Sequence, residues 1–102
     1  MASYIVWYKW SILEGVEKQF LVEWDLQCQQ FDFVSWRLHK GTDGCYHLYT
    51  KWESRQVWEV STSEKFNKSL TSAGMRKCIA HSYEPLCMKE IPDEVTKNIK
   101  IF

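Results

Sequence analysis

The chain has 102 residues, enough for one domain that buries about 60 to 70% of the surface of its extended form. Thirteen basic side chains balance thirteen acidic ones, so no net field is available to hold a nucleic-acid backbone or an anionic membrane. No apolar run reaches the roughly 18 to 20 residues of a spanning helix, so a membrane partner is excluded as well.

Six Trp, five Tyr and five Phe are a surplus for this length, with area to spare for a pocket or a subunit interface beyond the core. Cys28, Cys45, Cys78 and Cys87 form no Cys-x-x-Cys pair, and Met1-Ala2-Ser3-Tyr4 lacks the features of a signal peptide. The expectation is a reduced, cytoplasmic protein whose cysteines serve as small buried hydrophobes.

Tyr4 to Ile12 is dense in aromatic and β-branched residues and reads as a strand, with Tyr4, Val6, Tyr8 and Trp10 on one face. Ile5, Trp7, Lys9 and Ser11 take the other. After a break at Glu14-Gly15, the residues Val16, Phe20, Trp24, Gln27 or Cys28, and Phe31 recur every three or four positions, the period of an amphipathic helix. Its polar side is Glu17, Lys18, Glu23, Asp25 and Gln29.

Residues 33 to 52 read as a β-hairpin turning at Lys40-Gly41-Thr42-Asp43-Gly44. Its first strand sets Val34, Trp36 and Leu38 against Ser35, Arg37 and His39. The returning strand sets Tyr46, Leu48, Thr50 and Trp52 against Cys45, His47, Tyr49 and Lys51. Ser54 is an N-cap for a helix through about Ser61, so Trp52 ends a strand while Trp58 lies on the second turn of a helix. Two indoles at such a corner either fill the core or wall an apolar pocket between sheet and helix that admits a flat organic ligand.

A second helix is expected from about Ser63 to Tyr83, carrying Phe66, Leu70, Met75, Cys78 and Ile79, with a weak point at Gly74. Pro85 then blocks helical continuation, Leu86 to Ile91 forms a last strand, and a polar tail occupies about 93 to 102.

The order strand, helix, strand, strand, helix, strand is α+β: a ferredoxin-like β-α-β-β-α-β domain spanning 1–102, with a four-stranded antiparallel sheet and helices on one face. The bare face, with Trp7 and Tyr49 on it, needs a cover, and a second copy of the chain is the expected one. Lys9, Arg37, His39, His47 and Lys51 share that face and would have to pair across the interface or sit at its rim. His39 and His47 make half a metal site at most, and without a third ligand at a recognisable spacing no metal is implied.

The strand running to Gly15, Trp24 in the first helix, Ser35-Trp36-Arg37-Leu38-His39, the Asp43-Gly44 turn and Trp52-x-Ser54-x-x-x-Trp58 together resemble the antibiotic biosynthesis monooxygenase-like family. That resemblance implies a dimeric α+β barrel and a hydrophobic aromatic substrate held between sheet and helices, oxidised without a cofactor. Trp52 and Trp58 match the two aromatic positions that line the family's pocket, while Leu48 stands where its oxygenases carry a polar amide. A haem-degrading branch of the family uses residues that correspond here to Tyr8, Ser61 and Thr71, which leaves the axial ligand missing and haem disfavoured. On this resemblance Trp52 and Trp58 position the ring and Tyr8 or Trp36 completes the wall. The alternative is a non-catalytic dimeric module that binds an apolar ligand or serves interaction, consistent with Leu48.

Overall fold

In the computed structural model, residues 3–63 and 71–91 are described. The elements are β1 (Tyr4–Ile12), α1 (Glu17–Gln27) with a 3-10 turn at Cys28–Gln30, β2 (Ser35–Lys40), β3 (Tyr46–Trp52), α2 (Arg55–Ser63), α3 (Ala73–Arg76), β4 (Ile79–Ser82) and β5 (Leu86–Lys89). The sheet is antiparallel and runs β2-β3-β1-β4, with β5 also on β1. It is the expected α+β, ferredoxin-like layer, left open as a single chain.

Local chemistry explains most boundaries. Gly15 and Gly44 hold φ of 85° and 81°, a region that excludes most side chains, so each supplies the reversal after β1 and before β3. The hairpin turn is tied by Gly41 N–H to the Cys45 carbonyl at 2.8 Å and by Cys45 N–H to Asp43 Oδ1 at 2.9 Å. Ser54 caps α2 as read from the sequence, its Oγ accepting the Val57 N–H at 3.2 Å. Ser72 does the same for Met75 N–H at 3.1 Å, starting α3.

The C-terminal part departs from expectation. Of the helix placed over residues 63–83, Ser63 closes α2, only Ala73–Arg76 beyond it is helical among the described residues, and Phe66 and Leu70 lie outside them. Ile79–Ser82 is strand instead, because β1 has backbone groups along this edge that need partners. The ladder starts with Leu13 N–H on the Cys78 carbonyl at 2.8 Å and continues past β4 with Tyr83 N–H on the Lys9 carbonyl at 3.0 Å. Pro85 has no N–H to give, and pairing resumes at Leu86. The expected fourth strand is β5, which ends at Lys89 rather than Ile91, and β4 adds a further strand on the same edge of β1, so the sheet has five strands among the described residues rather than the expected four. The polar tail from about 93 lies outside the described residues.

Alternation decides what is buried. Val6, Tyr8 and Trp10 of β1 and Tyr46, Leu48, Thr50 and Trp52 of β3 form the covered face, against Phe20, Trp24 and Gln27 of α1 and Trp58 of α2. Met75 and Cys78 join this core as expected, though not from one long helix. Cys28, Cys45 and Cys78 are buried; Cys87, on the outer strand β5, is exposed, contrary to the reading of all four as buried. The outer side of α1 is less polar than the sequence suggests, since Leu21, Val22 and Leu26 are exposed on it. Among the described residues no helix is long and apolar enough to cross a membrane.

Candidate functional site

The strand-to-helix corner forms as the sequence indicates. Trp52, 0% exposed, closes β3; the Ser54 cap starts α2; and Trp58, 6% exposed, comes round on the second turn. Tyr8, 1% exposed, rises from β1 directly opposite Leu48, so the two share the covered face. Trp58 Nε1 donates to the Tyr8 hydroxyl oxygen at 2.8 Å. Of the five residues expected at the site, Tyr8, Leu48 and Trp58 are therefore brought together.

Trp52 is joined to them through Tyr4, its cross-strand partner, whose ring lies 5.7 Å from that of Trp58. Trp36 is not part of this group. It is 38% exposed on the edge strand β2 and meets Trp24 edge-to-face, with centroids 5.4 Å apart.

Sequence reading missed Tyr4 and Thr50 as members of the site. Thr50 is fully buried; its Oγ1 donates to the Val6 carbonyl at 2.9 Å and accepts Trp52 Nε1–H at 2.7 Å, which fixes the indole over the sheet. The period-2 pattern already put both residues on the same face as Trp52 and Tyr8, so the signal was present.

The phenols of this layer are kept neutral. Burial pushes the Tyr8 hydroxyl well above its ordinary range, opposed in part by the Trp58 donor, and burial with the Cys87 thiol beside it raises Tyr4 to about 12. Tyr8 already accepts from Trp58, and its own proton meets no acceptor among the described residues. Trp24 Nε1 and Gln27 Nε2, on α1, are also buried without a hydrogen-bond partner among the described residues. An unmet buried donor costs about 1–3 kcal/mol, so this layer holds more donor capacity than its own acceptors satisfy. It can stack a flat ring and donate to an oxygen on it. Among the described residues no three His, Cys, Asp or Glu side chains cluster as metal ligands.

The opposite face is organised differently. Trp7 stacks between His47, at 5.6 Å, and Tyr49, at 6.1 Å, and its Nε1 donates to His47 Nδ1 at 3.2 Å. Lys9 and His47 Nε2 both reach Asp43, at 3.4 and 3.3 Å, and Lys51 reaches Glu90 at 3.1 Å. Lys9 and Lys51, which argued against covering this face, thus bring their own counter-charges, while Arg37 and His39 have no carboxylate partner among the described residues. A concavity of about 220 Å³ lies here, lined by Ile5, Ser35, Trp36, Arg37, His39, Tyr49, Thr50 and Lys51. Another, of about 490 Å³, lies at Thr71, Arg76 and β4; neither is lined by Tyr8, Leu48, Trp52 or Trp58.

Among solved structures the chain is similar to SnoaB, a cofactor-independent oxygenase from Streptomyces nogalater, with a TM-score of 0.67 at 13% identity over 86% of this chain and 92% of that one. A protein from Bordetella bronchiseptica, provisionally assigned as an antibiotic biosynthesis monooxygenase, gives 0.66 at 15% identity over 90% and 98%. The chain has the antibiotic biosynthesis monooxygenase fold. A conserved protein from Methanosarcina mazei Go1 shares this monooxygenase fold with a TM-score of 0.69 at 8% identity, over 89% of this chain and 95% of that one. No protein-family model and no curated protein matches the sequence. At these identities the monooxygenase likeness is one of fold, and the chemistry has to be argued from the side chains.

Proposed function

We propose that the chain is a cofactor-independent monooxygenase-like protein that holds a hydrophobic aromatic small molecule between sheet and helices. The observation that carries this reading is the buried Tyr8–Trp58 hydrogen bond within an aromatic layer on a fold shared with a known oxygenase. Trp52 and Trp58 stack the ring, Leu48 forms the floor, and neutral Tyr8 directs its proton to an oxygen of the ligand. Trp52 and Trp58 are 0% and 6% exposed, so a ligand has to displace them to enter.

The substrate supplies the electrons. A ring CH₂ group becomes a carbonyl with one atom of dioxygen while the other leaves as water, so four electrons lost by carbon match four gained by O₂. A second copy covers the open face through Trp7 and Tyr49, closing the barrel.

Leu48 favours a second reading, a dimeric module that binds an apolar ligand without oxidising it, since this buried position offers no polar group. Aerobic incubation with a panel of dihydroxyaromatic compounds that carry a ring CH₂ group separates the two. Oxygen uptake that is lost in Trp52→Ala and Tyr8→Phe supports oxidation. Binding seen as a change in Trp emission, without uptake, supports the module, and neither signal refutes both.

A further inference from the structure

Trp24 Nε1 and Gln27 Nε2 are two buried donors without a partner among the described residues, on side chains 2% and 6% exposed. They lie three residues apart on α1, on the Phe20–Trp24–Gln27 stripe that faces the sheet. Helical geometry puts both on one side, with Cβ atoms roughly 5–6 Å apart. Their surroundings are aromatic: the Trp24 ring lies 6.4 Å from Trp10 and 6.3 Å from Phe33, and Phe33 meets Trp52 edge-to-face at 5.3 Å. The donors therefore belong to the same layer as the ligand site, on its α1 side.

We infer that Trp24 and Gln27 select for an aromatic ligand bearing an acceptor oxygen, a carbonyl or phenol, to which both N–H groups donate. This rests on the reading that the ligand binds between helices and sheet. An indole nitrogen can only donate, so the complementary group must be an acceptor. A hydrocarbon ring of the same shape would leave both donors unmet, whereas an oxygen placed between them satisfies each. Sites that hydrogen-bond a polar group reject the analogue lacking it for this reason.

Fluorenone and fluorene share a planar ring frame and differ by one carbonyl, so fluorescence titration with each reads the selection directly. The unmodified protein is expected to bind fluorenone about tenfold more tightly than fluorene, the discrimination one or two neutral hydrogen bonds supply. In Trp24→Phe and in Gln27→Leu, each of which keeps one donor, that preference falls to about threefold or less. Gln27→Leu without ligand melts no lower than the unmodified protein, because it removes an unmet donor at nearly constant volume. It carries the test if Trp24→Phe fails to fold.

Equal binding of the two probes by the unmodified protein overturns the selection and leaves the ligand site standing. A preference that survives in both variants overturns it too, assigning discrimination to other groups. Failure of both probes to bind removes the ligand site and this inference together.

Discussion

Replacing Thr50 by Val removes one hydroxyl from the centre of the core and leaves its shape nearly unchanged. In the folded protein that hydroxyl is bonded twice, to the Val6 carbonyl at 2.9 Å and to Trp52 Nε1 at 2.7 Å, and Trp52 is fully buried. Water cannot take its place at the indole. Leaving a buried donor unmet costs about 1–3 kcal/mol, and about 2 kcal/mol in a domain of this size lowers the melting temperature by about 8–16 °C. Thr50→Ser keeps the hydroxyl and loses one methyl, worth about 0.8 kcal/mol, or about 3–6 °C. The polar anchor therefore predicts that the more hydrophobic Val is the worse substitute. Thermal melts followed by circular dichroism at pH 7 give the order. A Thr50→Val protein that melts within about 3 °C of the parent, or above Thr50→Ser, refutes the claim that Thr50 fixes Trp52.

The Asp43 carboxyl is held down to about 2 by the Cys45 N–H, then by His47 and Lys9, so its stabilisation is present above the unfolded value near 3.8 and lost as pH falls through about 2. Asp43→Asn is accordingly expected to lower the melting temperature at pH 7 and to match the parent below pH 2; equal melts at pH 7 would contradict this. Burial raises Tyr4 and Tyr46 to about 12 and Tyr8 higher still, with Glu17 assisting at Tyr46, so these groups stabilise the fold below pH 10 and cease to as pH rises past about 12. At pH 10.5 the 295-nm tyrosinate absorbance should be the same in Tyr8→Phe as in the parent, and a smaller signal in the variant would show that Tyr8 ionises early. Sedimentation velocity tests the cover over the open face. Tyr49→Asp places a new carboxylate among Trp7 and His39 and is expected to shift a dimer to monomer, while a parent that already sediments as a monomer rules that cover out.

Locally encoded features were legible. Tyr4–Ile12 has the expected bounds because its residue types favour extended backbone over nine consecutive positions. The Ser54 cap and the Asp43-Gly44 turn were readable because each is completed by hydrogen bonds within a few residues. The stripe on α1 left Gln27 and Cys28 as equal candidates, and both are buried. Within the site, the corner holding Trp52 and Trp58 was legible, as was the face shared by Tyr8 and Leu48. The bond between Trp58 and Tyr8 was not, since the two are 50 residues apart. Trp36 was misjudged as a neighbour of the corner because alternation gives its face but not its distance along a twisted edge.

The amino-acid sequence alone determined which faces of β1 and β3 are buried and where the chain turns, since periodicity, glycine conformation and capping act over a few residues. Tertiary structure decided the rest. Ile79–Ser82 became strand because an unpaired edge of β1 lay beside it, and Trp52 took its orientation from Thr50. Trp24 and Gln27 lost their solvent partners when α1 closed on the sheet. Each of these outcomes depends on a backbone or side-chain group that must be satisfied away from water, and which partner is within reach is known only once the layers have packed.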